Sequence, residues 1–227
     1  MVALSNSKIL EEIDKGDIVI SPFEELSLNT SSYDVRLGEY YFREQHNKHN
    51  HNIFNVYQES DICKVWGHEP NQAKKASDTF KDYNLELDGI DPNDSVILLQ
   101  PGETILAHTQ EFIGGRNHIT TMMKARSSLG RCFLEVCKCA GWGDVGYINR
   151  WTMEITNNSQ HYVIPLVVGR RVAQIVFFET GPTLDTDYSD TGKYQSSKDL
   201  RKLIRDWKPE DMLPKTWKDR DIKCKKR

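Results

Sequence analysis

The sequence predicts a mainly β domain, a barrel or jelly-roll-like sandwich with a few short helices. Three observations carry this. After Asp91-Pro92-Asn93-Asp94, short apolar segments recur at 96–99, 104–108, 119–123, 134–137, 151–155, 162–168 and 172–178. Turn residues separate them: Pro101-Gly102, Gly114-Gly115, the glycines between Gly141 and Gly146, Asn157-Asn158-Ser159, and Gly169. Closely spaced short strands with such boundaries mark antiparallel all-β domains. Helical spacing, by contrast, is confined to short stretches.

From the N-terminus, residues 5–15 carry Ile9, Leu10 and Ile13 behind Ser and Asn, a short capped helix that Gly16-Asp17 ends. Ile18-Val19-Ile20 reads as a strand, and so does the alternating Tyr33-Asp34-Val35-Arg36-Leu37-Gly38. Residues 46–83 lose the pattern to Asn, His, Lys, Gln and Ser, an excursion of long loops with some local structure. One helix interrupts the later strands at 126–131, with Ser127 or Ser128 as its cap. Residues 198–227 form a basic C-terminal extension with twelve basic and six acidic residues. A short helix fits 199–207, and the last five residues read as a frayed tail.

The 227 residues fit one large domain or two small ones, and Lys+Arg 30 against Asp+Glu 33 leaves a net charge of −3. A protein that coats nucleic acid needs a basic excess, so none is expected as a partner. No apolar run approaches the ~20 residues of a membrane span, and no basic-then-apolar leader opens the chain. A cytoplasmic protein is expected. The five cysteines are an odd number without a Cys-x-x-Cys pair, which argues against a disulfide framework. Cys137 and Cys139 sit at strand periodicity and read as two small core residues, with metal binding as the alternative. His46, His49 and His51 lack a carboxylate or cysteine at ligand spacing and read as a solvated loop.

Two constellations carry chemistry. Lys124-Ala125-Arg126-Ser127-Ser128-Leu129-Gly130-Arg131 brings hydroxyls, backbone N–H groups and guanidinium forks together at a helix start. Those are the parts of a phosphate cradle, or of a capped helix on a solvated face. Ala140-Gly141-Trp142-Gly143-Asp144-Val145-Gly146-Tyr147 is a tight glycine-rich turn, and Glu154 follows on a strand beside Trp151, Met153 and Ile155. A carboxylate there either faces solvent or is partly buried with a raised pKa, and the second case makes a candidate general base.

Together these segments resemble the dCTP deaminase branch of the trimeric dUTPase superfamily. Ser32-Tyr33-Asp34-Val35-Arg36-Leu37-Gly38 is similar to its N-terminal strand, and Arg126-Ser127-Ser128-Leu129-Gly130-Arg131 to its arginine-serine segment. Ala140-Gly141-Trp142, Asp144, Gly146-Tyr147 and Thr152-Met153-Glu154 resemble the following block at the family's spacing. Gly169-Arg170-Arg171-Val172-Ala173-Gln174 and Gly192-Lys193-Tyr194-Gln195 match the last two motifs.

The resemblance implies a dUTPase-like barrel or distorted jelly roll over 1–197, with 46–83 inserted and 198–227 appended. It implies a homotrimer with active sites between subunits. Glu154 would take a proton from the water that attacks C4 of cytosine, with Ser127 orienting and Arg131 stabilising charge. Arg126, Ser127 and Ser128 would bind phosphates. Asp144 would accept from the 3′-hydroxyl and Tyr147 would crowd the 2′ position. Ala140 would help bind the substrate, and Thr152 to Glu154, Met153 included, would contact the base edge through the strand backbone. Tyr188, Lys193 and Gln195 would close over the triphosphate. Mg²⁺ would ride on the phosphates without a protein metal site, and zinc is not expected, since H-x-E with a later P-C-x-x-C is absent from the chain. The rival expectations are a dUTP diphosphatase, a bifunctional enzyme acting on dCTP and dUTP, and a non-catalytic nucleotide-binding barrel.

Overall fold

The computed structural model describes residues 2–45, 52–81, 83, 85–183, 188–195 and 197–219. The histidines at 46, 49 and 51 and the last eight residues lie outside them. The chain enters through β1 (Val2–Ala3) and α1 (Asn6–Lys15). Ser5 caps α1 by accepting from the Lys8 amide, and Gly16, left-handed at φ 83°, ends it. There follow β2 (Ile18–Ser21), β3 (Tyr33–Arg43), α2 (Glu59–Trp66), β4 (Asn71–Gln72), β5 (Lys74–Lys75) and α3 (Ala76–Lys81). The strand-rich half holds β6 (Ser95–Leu99), β7 (Thr104–Gly115), β8 (Ile119–Ala125), α4 (Ser127–Arg131), β9 (Leu134–Val136), β10 (Trp142–Gly143), β11 (Ile148–Asn157), β12 (Ile164–Val167) and β13 (Arg171–Glu179). The chain closes with α5 (Tyr188–Thr191), α6 (Leu200–Asp206) and single 3₁₀ turns at Pro209–Met212 and Thr216–Lys218.

The architecture is mainly β with short helices, as expected. The large antiparallel sheet runs β10-β8-β13-β3-β7-β11-β9, and a smaller one runs β12-β6-β5. Tyr33, Val35 and Leu37 from the large sheet and Ile97, Leu99 and Leu166 from the small one meet in one buried core. Burial of these side chains, at roughly 25 cal/mol per Å² of apolar surface, is the main force holding the sheets together. None of the described helices is long and apolar enough to cross a membrane.

Several local expectations need correction. Gly114-Gly115 is strand rather than turn: a Cβ on Gly114 would lie 1.8 Å from the Tyr147 carbonyl oxygen, so glycine permits β7 to approach the chain entering β11. Ser127 and Ser128 do not cap α4, whose N-cap is Arg126 without a side-chain bond. Cys137 and Cys139 do not share a strand face. Residues 137, 138 and 139 all take positive φ in a turn after β9, which buries Cys137 and exposes Cys139. The excursion is anchored as well: Phe80 packs with Val96 and Val167, and Trp66 with Phe42 and Met212.

The short helix expected near 199–207 is α6, with Asp199 accepting from the Arg201 amide as its cap. Beyond α6 the chain lies on the barrel. Leu203 packs with Phe112 and Ile148, and Met212 with Phe42 and Leu106. Trp207 lies tilted against the His108 ring, 4.7 Å between centroids, with the Arg150 guanidinium 4.6 Å over its ring in a cation–π contact.

Candidate active site

Glu154 sits on β11 directly opposite Leu106 of β7. Strand alternation sends Met153 and Ile155 into the core and turns Thr152 and Glu154 to the other face. There they line a cleft of about 330 Å³ with Leu106, Ala140, Trp142, Asp144, Tyr147, Trp151 and Tyr188. Burial pushes the Glu154 carboxyl above the ordinary glutamate range, against smaller opposing effects of its own backbone amide and Lys138. Half-buried and raised, this is the second of the two fates open to it in the sequence.

The glycine-rich turn shapes the cleft's rim. Met123 N–H donates to Gly141 O at 2.7 Å, and Thr120 Oγ1 donates to Gly143 O at 2.7 Å. This fixes β10 on β8 and leaves Ala140, Trp142 and Asp144 exposed along the opening. Tyr147 is wedged edge-on between Trp151 at 5.2 Å and Tyr188 at 5.0 Å, and burial holds its hydroxyl protonated. Tyr188 is placed by its amide bond to Val145 O. Six of the expected residues therefore line one cleft: Ala140, Asp144, Tyr147, Thr152, Glu154 and Tyr188. Met153 does not join them, because strand alternation buries its side chain in the core, and Gln195 lines a different cavity.

Gln195 is held fast. It accepts from Ile148 N at 2.7 Å and donates to Gly146 O and Ser197 O at 3.0 Å each, so it pins the arm to the start of β11. Lys193 is ion-paired with Asp219. In this chain both side chains are engaged in holding the C-terminal segment rather than facing the cleft.

The arginine-serine segment lies elsewhere. Arg126 and Leu129 line a second, larger cleft of about 720 Å³ with Glu24, Arg36, Arg170 and Arg171, and no lining residue is common to both clefts. Arg126 is held there by the buried Asp34, 3.4 Å from its Nε, and donates to Arg171 O at 3.2 Å. Ser127, Ser128 and Arg131 are exposed on α4, and among the described residues Arg131 makes no ion pair. One chain thus carries a carboxylate half and a cationic half on separate surfaces.

Six residues of the carboxylate cleft were not among the expected site residues: Leu106, Trp142, Trp151, Tyr194, Met212 and Pro214. The last two belong to the extension, where the only signal was scattered apolar residues among charges. As for metals, one group among the described residues has ligand chemistry, Glu12, Asp17 and His118, within 4.8 Å of one another. Glu12 Oε1 already lies 3.0 Å from both Lys8 and Lys15, and none of the three lines the carboxylate cleft.

A family profile described as dCTP deaminase-like matches residues 3–180. A Hydrogenobaculum protein named "dCTP deaminase, dUMP-forming" is 35% identical over 174 residues, covering 77% of this chain and 80% of the relative. A Methanococcus aeolicus protein of the same name is 28% identical over 193 residues, covering 82% and 88%. Among solved structures, the 2′-deoxycytidine 5′-triphosphate deaminase of Agrobacterium tumefaciens superposes with a TM-score of 0.52 at 15% identity. It matches 77% of this chain, which spans 47% of that one, and supports the fold alone. The profile match takes in every strand from β2 to β13, together with Glu154 and the arginine-serine segment, and on that extent the chain belongs to the dCTP deaminase-like family.

Proposed function

We propose that this protein hydrolytically deaminates dCTP, releasing ammonia, with Glu154 as the proton-transfer group. The observation that carries the reading is the Glu154 carboxyl, raised by burial, in the lining of a cleft of about 330 Å³. A base needs a pKa drawn toward working pH, and burial supplies that shift here. In the reaction Glu154 removes a proton from water as its oxygen bonds to C4, and passes that proton to ring N3. The hydroxyl proton of the resulting adduct then passes through Glu154 to the exocyclic nitrogen, the C4–N4 bond breaks as ammonia leaves, and the C4 carbonyl of the uracil ring forms. Asp144, Tyr147 and Tyr188 surround the deoxyribose in this reading, and Thr152 with the β11 backbone meets the base edge.

The cationic half serves a neighbouring copy. Arg126, Ser127 and Ser128 bind phosphates, and Arg131 stabilises charge beside Glu154 of the adjacent subunit in a homotrimer. The separation of the two clefts supports this, because neither alone holds both a base and a phosphate cradle. Mg²⁺ fits as a companion of the triphosphate. The cleft offers only Glu154 and Asp144 as carboxylates, so phosphate oxygens and water supply its ligands. Lys193 and Gln195 support the arm that carries Tyr188 and Tyr194.

A second reading, release of the product as dUMP, is favoured by that word in the relatives' names. Incubation with dCTP and Mg²⁺ followed by separation of products tests both. Ammonia with dUTP supports simple deamination, and ammonia with dUMP and pyrophosphate the second reading. Unchanged dCTP overturns the proposal.

A further inference from the structure

We propose that the C-terminal extension builds a steric gate for the pyrimidine, with Met212 and Pro214 admitting hydrogen at ring position 5 and rejecting a methyl group. The inference rests on the deaminase reading of the Glu154 cleft. Both residues lie beyond the family-matched segment and yet line that cleft. Met212 is buried against Leu106 and Phe42, and Leu106 is the cross-strand partner of Glu154. The extension therefore contributes its apolar surface on the carboxylate's own side of the cleft. The aromatic residues Tyr147, Trp151 and Tyr188 form a separate cluster through their ring contacts.

The chemistry of the ring fits this division. The carbon attacked, C4, has two ring neighbours, N3 and C5. N3 requires a polar partner, and the β11 backbone and Thr152 provide polar groups. C5–H requires apolar contact, which the patch of Leu106, Met212 and Pro214 provides. The wall is also held in place from several sides. Trp207 packs at a tilt against His108 with the Arg150 guanidinium over its ring, Leu203 is buried against Phe112 and Ile148, and the Lys215 amide donates to Tyr194 Oη at 3.0 Å. A wall anchored in this way resists an added methyl, as packed interiors resist overfilling.

The test compares dCTP with 5-methyl-dCTP, measuring ammonia release and, separately, nucleotide affinity by calorimetry. The unmodified protein is expected to prefer dCTP by at least about tenfold in kcat/KM, the scale on which a pocket discriminates one carbon. Met212→Ala is expected to narrow that preference several-fold by gaining on the methylated nucleotide. If Met212→Ala does not fold, Pro214→Gly replaces it with the same expectation. Equal use of both nucleotides by the unmodified protein, or an unchanged ratio in the folded variant, would overturn the gate. Absence of ammonia, with dCTP still favoured in binding and the preference narrowed in the variant, would sink the deaminase reading and uphold the gate. Binding of neither nucleotide overturns both.

Discussion

Asp34 holds Arg126 by an ion pair of 3.4 Å, from a position on β3 that is almost wholly shielded from water. The same carboxylate oxygen lies 3.3 Å from Arg171 Nη1. Burial raises the Asp34 carboxyl, and the two guanidinium groups oppose that rise. Asp34 is therefore a positioning residue for the cationic cleft: it fixes the direction of an arginine that the proposed function places on phosphate. Asp34→Asn keeps the volume and removes the charge. The expected result is a rise of about tenfold in KM for dCTP with kcat nearly unchanged, since misdirected binding groups weaken positioning. Steady-state kinetics on the folded variant decide it, and an equal fall in kcat alone would assign Asp34 to the chemical step.

Glu154 links activity to stability with opposite signs. Its folded pKa is raised above the ordinary 4.5 by burial, so in the native state it keeps its proton to higher pH than in the unfolded chain. Its contribution to stability is full below the unfolded value and is lost as pH rises through the folded value. Glu154→Gln removes that penalty. The variant is expected to lose at least about 10²-fold in kcat while still binding nucleotide. It should also melt higher than the unmodified protein at pH 8, by about 2–4 °C per kcal/mol relieved, with the difference closing at pH 4. The acid limb of kcat/KM for the unmodified protein should have its midpoint above 4.5. A midpoint at or below that value removes Glu154 as the base.

What the sequence revealed depended on how local each signal was. The Ser5 cap and the Gly16 stop of α1 lie within one turn of the residues they control, and both were readable. The strand character of Glu154 was readable because its neighbours alternate. Gly114-Gly115 misled because glycine serves a turn and a close strand crossing equally well, and only the Tyr147 carbonyl distinguishes them. Cys137 misled because three consecutive left-handed residues have no compositional mark when none is glycine. The motifs identified both halves of the site, yet their order along the chain does not say that α4 and β11 face different clefts. Met212 and Pro214 were invisible for a related reason: their place in the cleft depends on Trp207 and Leu203 packing against Phe112 and Ile148, residues far away in sequence.

His108 is expected to make the fold acid-sensitive. Its ring is fully buried beneath Gly38, where a Cβ would come within 2.0 Å of it. Nδ1 donates to Thr109 O at 2.8 Å and Nε2 accepts from Tyr40 N–H, which selects one neutral tautomer. Burial, with help from Arg150, pushes its pKa down to about 4 from 6.5. The unfolded chain then binds the extra proton first as pH falls, so stability is lost between the two values. Denaturant unfolding at fixed protein concentration should show the protein losing about 2 kcal/mol more between pH 7 and pH 5 than a His108→Gln variant does. Because Trp207 packs against this ring, the extension should also become protease-sensitive in the same pH range. Equal pH dependence in the two proteins would remove His108 from this role.

The two clefts on one chain make a direct prediction about assembly. Glu154→Gln damages the carboxylate half and Arg131→Ala damages the cationic half, so each variant alone should be nearly inactive. If a site is completed by adjacent copies, unfolding and refolding the two variants together rebuilds some sites from undamaged halves only. Random assembly from equal amounts gives about one quarter intact sites in a ring where each contact joins two chains. Activity of the mixture on dCTP should therefore recover to about one quarter of the unmodified protein's, and sedimentation should report three chains per particle. No recovery from a mixture that has demonstrably exchanged subunits would refute a site shared between copies, and an active Arg131→Ala variant by itself would place Arg131 outside the reacting site. Recovery without a change in particle size would refute the trimer while keeping the shared site.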